Sequence, residues 1–150
     1  MSDSILSLIP EDPTYVPPTA VHSRAVALLR ALAPRASHVE CRVSDQVAFF
    51  DQGSHFDKVQ CPACNEDITS QWPEWMDKAF ASQFVELAIT MPCCALATNL
   101  NALNYLPPAG FARFSLSAMN PGVGGVLSVD DLSILEKATG CKLRQVYARY

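Results

Sequence analysis

The sequence predicts an α+β fold, a ferredoxin-like βαβ–βαβ sandwich that carries a zinc-ribbon-like insertion. Three observations lead there. Both ends of the chain read strand–helix–strand. Four of the six cysteines fall between those ends, as Cys61-Pro62-Ala63-Cys64 and the adjacent pair Cys93-Cys94. Residues 40–86, which overlap that stretch, hold nine of the fifteen acidic side chains. At 150 residues, 49% of them hydrophobic, the chain has material for one domain with its own core. We read it as a single domain, 1–150, with 47–108 as a cysteine-bearing insertion between two βαβ halves.

The first element is a strand, Ile5–Ile9, closed by Pro10. After a proline-rich connection, Val21, Ala25, Leu28, Leu29 and Leu32 fall on one helical face, with Pro18 suited to its start and Pro34 ending it. Val39, Cys41 and Val43 alternate with polar neighbours, the pattern of a half-buried strand. Within the insertion we expect a short strand before Cys61, a helix within Ser70–Phe80 and a strand Phe84–Thr90 running toward Cys93. The second half repeats the order of the first. Phe111–Ala118 alternates as a strand, and Asn120-Pro121-Gly122 and Gly124-Gly125 supply turn chemistry. Ser128 and Asp131 open a helix that packs through Val129, Leu132, Leu135 and Ala138, with Gly140 as its stop. Lys142–Tyr150 forms the last strand.

Eleven basic against fifteen acidic side chains give a net charge of −4, which excludes a generally basic nucleic-acid binder. Residues 40–86 carry nine acids and three bases, 87–106 carry no charge, and 107–150 carry three acids and five bases. The N-terminus has no basic region before its short apolar run, and no apolar stretch reaches the roughly 18 residues of a membrane span. These features lead us to expect a cytoplasmic protein. In a reducing compartment closely spaced cysteines serve metal or redox chemistry rather than disulfides.

Zinc takes four soft or borderline ligands in a tetrahedron. Cysteines two residues apart on a tight turn can place both thiolates on one ion, with backbone amides aimed at the sulfurs. We therefore assign Cys61, Cys64, Cys93 and Cys94 as ligands of a Zn2+ ion. Adjacent residues of a strand point to opposite faces, so Cys93 and Cys94 both bind only if they sit in a tight turn. Otherwise His55, Asp67 or water completes the set. A dithiol redox pair is the alternative, but Glu66 and Asp67 beside Cys64 should raise a thiol pKa and oppose it. Cys41 and Cys141 fall in predicted strands and read as buried structural residues.

The sequence also resembles a family of small, largely uncharacterised bacterial proteins with a split cysteine pair. The resemblance runs from about Pro13 to Tyr150. It rests on Val43–Phe56 leading into Cys-Pro-Ala-Cys, on Met-Pro-Cys-Cys, on Leu100–Tyr105, on Pro108–Phe114, on Met119-Asn120-Pro121 and on Gly140–Arg144. Asn65 and Ala95 stand where that family usually has glycine. The resemblance implies a cytoplasmic, non-enzymatic protein. Some proteins of this kind look like immunity partners that neutralise a cognate toxin.

No phosphate-cradling glycine loop, nucleophile elbow or His-Glu-x-x-His helix is present. Of the three histidines only His55 lies near the cluster in sequence, and Glu66 is the nearest candidate base. Trp72, Trp75, Met76 and Phe80 form a stripe at helical spacing, read first as core and second as a recognition patch. We thus expect a zinc-binding protein that acts through a protein partner. A metal-dependent or thiol redox enzyme is the alternative, and a nucleic-acid adaptor is disfavoured by the acidic insertion.

Overall fold

Alternation of apolar side chains builds four of the strands into one sheet in the computed structural model, which describes residues 3–122 and 124–150. These are β1 (Ser4–Pro10), β2 (His38–Phe50), β7 (Gly110–Met119) and β8 (Leu143–Arg149). Between β2 and β7 lie β3 (Lys58–Gln60), α2 (Trp72–Ala81), β4 (Ala88–Thr90), β5 (Ala97–Asn99) and β6 (Asn104–Leu106). The other two helices are α1 (His22–Leu32) and α3 (Val129–Thr139). The fold is mixed α+β with a mainly antiparallel sheet, and no helix among the described residues is long and apolar enough to cross a membrane.

The sheet runs in the order β2-β7-β1-β8, every neighbouring pair antiparallel. Leu6 and Leu8 of β1, Phe114 and Leu116 of β7 and Val39 of β2 face Ala25 and Leu29 of α1 and Leu135 of α3, forming the first core. Both helices therefore cover the same face of the sheet. The Ser128 side chain accepts from the Asp131 amide at 3.1 Å and starts α3, and Gly140, left-handed at φ 77°, ends it.

A second core lies beside the first. Val59, Cys61, Ile68, Ala79, Met91, Leu100 and Tyr105 pack on Phe111 of β7. The strands there are only three residues long and pair as β3–β6 and β4–β5. The whole segment leaves the sheet after Phe50 and returns at Gly110, and these two residues are register partners.

Several expectations are corrected. The strand expected over Phe84–Thr90 shrinks to Ala88–Thr90. Gln83 and Phe84 instead adopt left-handed φ values of 58° and 59° and wrap the end of α2, with their amides donating to the Phe80 and Ala79 carbonyls at 2.9 and 2.8 Å. Left-handed backbone is costly for side chains of this size. It is held here because Phe84 packs edge-on against Phe111, ring centroids 5.3 Å apart. β2 runs to Phe50 rather than stopping near Val43, with a register shift between Val43 and Ala48. Cys141 lies in the turn after Gly140 rather than in a strand, and Val129 points to solvent, 84% exposed, as the first residue of α3. Nothing in the sequence marks β5 and β6, which at three residues each are too short to show a pattern of alternation.

Leu29→Ala should cost about 3 kcal/mol in denaturant unfolding, since Leu29 is fully buried between helix and sheet. Val129→Ala should stay within about 0.5 kcal/mol of the native protein. A comparable loss in both would contradict this packing.

Candidate metal centre

Two turns of the same shape build the site. In the first, Cys61-Pro62-Ala63-Cys64-Asn65, the Asn65 amide donates to the Cys61 carbonyl at 3.0 Å and the Cys61 amide to the Glu66 carbonyl at 2.9 Å. In the second, Met91-Pro92-Cys93-Cys94-Ala95, the Ala95 amide donates to Met91 and the Met91 amide to Leu96, both at 2.9 Å. Asn65 and Ala95 are left-handed at φ 62° and 60°. The two segments thus align Met91 with Cys61 and Cys94 with Cys64, and Cys93 takes the place of Ala63. Met91 and Cys61 are both buried in the insertion core.

The tight turn that adjacent cysteines require is present. It brings Cys61, Cys64, Cys93 and Cys94 together, their sulfurs all within 4.8 Å of one another. Cys61 Sγ lies 3.7 Å from Cys94 Sγ, and Cys64 Sγ lies 3.3 Å from Cys93 Sγ. A tetrahedron with metal–sulfur bonds of 2.3 Å has edges of about 3.8 Å, so the four donors fit a single ion. Cys61 is buried at the base, while Cys64, Cys93 and Cys94 are exposed.

Neither alternative ligand joins the group. The Thr69 hydroxyl, and then the Thr69 amide that donates to Asp67 at 2.9 Å, hold its carboxyl below the usual range. His55 stacks on Tyr147 of β8, ring centroids 5.1 Å apart, with its Nε2 buried and unpartnered. Cys41 and Cys141 are half-buried against the first core. His22 Nε2 donates to the Pro17 carbonyl, 2.9 Å away, and the ring packs on Phe114. The α2 stripe divides: Trp72, Trp75 and Met76 pack on the second core and Phe80 is left 71% exposed.

The expected rise in thiol pKa from Glu66 and Asp67 does not hold at Cys61. Donation by the Cys64 amide, and then by the Ala63 amide, lowers its thiol to about 7. Cys93, facing the Cys64 sulfur, is pushed up to about 12. A thiol held low in the folded state adds stability at high pH that disappears as pH falls through about 7. The role of Met91 went unnoticed in the sequence, although aligning Pro62 with Pro92 reveals it.

Two outcomes test this geometry. Ala95→Gly should stabilise the protein by about 1 kcal/mol in chemical unfolding, because glycine adopts φ 60° without a Cβ clash. Thiolate absorbance of the metal-free protein should rise first near pH 7, and Cys61→Ser should remove that step.

Comparison with protein-family models, with curated proteins and with solved structures gave no match. The family resemblance noted above gains no support from them.

Proposed function

We propose that this protein is a zinc-stabilised, non-enzymatic binding module: a ferredoxin-like sandwich whose zinc-ribbon-like insertion presents a surface to a partner protein. The observation that carries this reading is the convergence of four sulfurs within 4.8 Å from two matched turns. Four thiolates suit zinc and leave no open coordination position, which favours a structural over a catalytic ion. The sandwich assignment draws on the strand order. Counting only the sheet's own strands and reading from β8, it is fourth, first, third, second.

Zinc supports the insertion because strands of three residues and one short helix enclose little apolar surface. Binding energy at such a site becomes folding energy. The partner role draws on the exposed aromatic end of α2 and on the acidic charge of residues 40–86. A cytoplasmic setting keeps the thiols reduced for the metal. A toxin as the partner follows from the family resemblance alone, and a toxin gene beside this one would support it.

Protein purified under reducing conditions should carry one zinc per chain, and cobalt exchange should give the intense bands of a tetrahedral thiolate site. Chelation should remove at least about 3 kcal/mol of stability, roughly 6–12 °C in Tm for a domain of this size. Cys61→Ser and Cys93→Ser should each abolish stoichiometric binding. A metal-free protein whose two variants melt as the native does would overturn the metal centre. Metal-dependent turnover, with no protein partner recovered from the native host, would replace binding by catalysis.

A further inference from the structure

We infer that the groove between the shifted stretch of β2 and the end of α2 is where the partner docks, and that the partner offers a basic segment with an apolar anchor. This rests on the binding-module reading and adds a place and a chemistry to it. The groove encloses about 650 Å3, with Gln46, Val47 and Phe49 on one wall and Phe80, Gln83 and Phe84 on the other. Phe80 is 71% exposed and Val85 79%, although the rest of the apolar stripe on α2 is packed inward. A solvated phenylalanine beside a concave apolar wall is the composition of an interface centre.

The walls are already fixed in place. Gln46 donates to Gln83 across the groove at 3.0 Å, and Phe84 is wedged edge-on between Phe80 and Phe111, at 5.8 and 5.3 Å. The left-handed pair Gln83–Phe84 turns the chain back after α2 and so brings the Phe84 ring against Phe80. Strained backbone of this kind is retained at binding sites, where a fixed surface loses less entropy on association.

The rim sets the sign of the partner. Asp45 adjoins the β2 wall, Asp77 lies one turn before Phe80 on the same helical face, and Glu86 follows Val85; all three are exposed. Two cations lie nearby and are outnumbered by these acids: Lys78 sits 3.8 Å from Glu74, and Arg113 donates to the Ser44 carbonyl at 2.9 Å and lines an adjoining hollow that shares Ser44, Ala48 and Phe49 with the groove. An acidic rim around an apolar floor attracts Lys and Arg flanking a large apolar side chain. It repels a second copy of this chain, which brings the same acids and a net charge of −4.

The test is selection of random peptides displayed on phage against the full-length, zinc-loaded protein, followed by titration of the synthesised winners. The expected consensus pairs two or more Lys or Arg with an aromatic or leucine. Phe80→Ser should weaken binding by about tenfold or more. Replacing Asp45→Asn, Asp77→Asn and Glu86→Gln together should weaken it and flatten its salt dependence. Because these residues are exposed, the variants should melt as the native protein does. An acidic or uncharged consensus, no enrichment, winners indifferent to Phe80→Ser, or a dimer that Phe80→Ser dissolves would each overturn the inference. A native partner that binds Phe80→Ser at full strength would also overturn the groove and leave the binding-module reading standing. Failure of the metal-centre reading would instead show as a metal-free protein whose cysteine variants melt as the native does.

Discussion

Arg144 of β8 fastens the inserted segment to the sheet. Its guanidinium donates to the Asn101 carbonyl, to Asn101 Oδ1 and to the Ala109 carbonyl at 2.8–3.2 Å, and it pairs with the Glu11 carboxylate. Asn101 is buried, and its side chain also accepts from the Phe111 amide and donates to the Glu11 carbonyl, each at 2.9 Å. A half-buried charge is held when its donors are met, and here one planar fork meets groups at Glu11, Asn101 and Ala109. Gly110 makes the approach possible. A Cβ there would lie 2.6 Å from the Arg144 Nη1 atom. The seam fixes where the second core stands relative to the first, and so where the sulfur cluster and the α2 groove are displayed.

The insertion carries both the four-cysteine cluster and the Arg144 seam, and its core reaches the sheet at β7. Phe111 belongs to a sheet strand yet packs in the second core, together with Phe49 of β2 at 4.9 Å. Tyr105 fills the space between, its hydroxyl donating to the Leu100 carbonyl at 2.7 Å and accepting from the Trp72 indole at 3.2 Å. Burial pushes that phenol well above its ordinary pKa, so it remains a neutral donor at any ordinary pH. The three-residue strands thus stand beside aromatic packing against β7 and beside two turns that gather four sulfurs.

Elements whose periodicity reflects burial against the sheet were legible in the sequence. β1, α1, β7 and α3 each alternate or repeat against one large core, and Ser128 and Gly140 mark α3 by chemistry that acts locally. The insertion was legible only through its cysteines. Phe84 looked like a strand residue because it is large and apolar, but its conformation depends on Phe111, distant in sequence. His55 looked like a ligand because it lies close to Cys61 along the chain; the fold turns it toward Tyr147 instead. Glu66 and Asp67 looked decisive for the nearby thiols, yet the amides of Ala63 and Cys64 dominate at Cys61, because hydrogen bonds to the sulfur act at shorter range than solvated charges. Cys93 and Cys94 depart from ribbon spacing because Met91 takes the place that Cys61 holds in the first turn and Cys93 the place of Ala63, an equivalence that the aligned Pro62 and Pro92 carry in the sequence.

The register between Phe50 and Gly110 has a polymer-physical consequence. An excursion that starts and ends on hydrogen-bonded partners has its loop closed by the ladder itself. The sheet therefore meets residues 51–109 much as it would meet a hairpin turn. Closure entropy grows only with the logarithm of loop length, by about 0.6 kcal/mol per doubling. The stability of the sheet is thus nearly blind to how long that excursion is. Change in the insertion is constrained by its own small core and by the Arg144 seam, while the strand pairing around it stays the same.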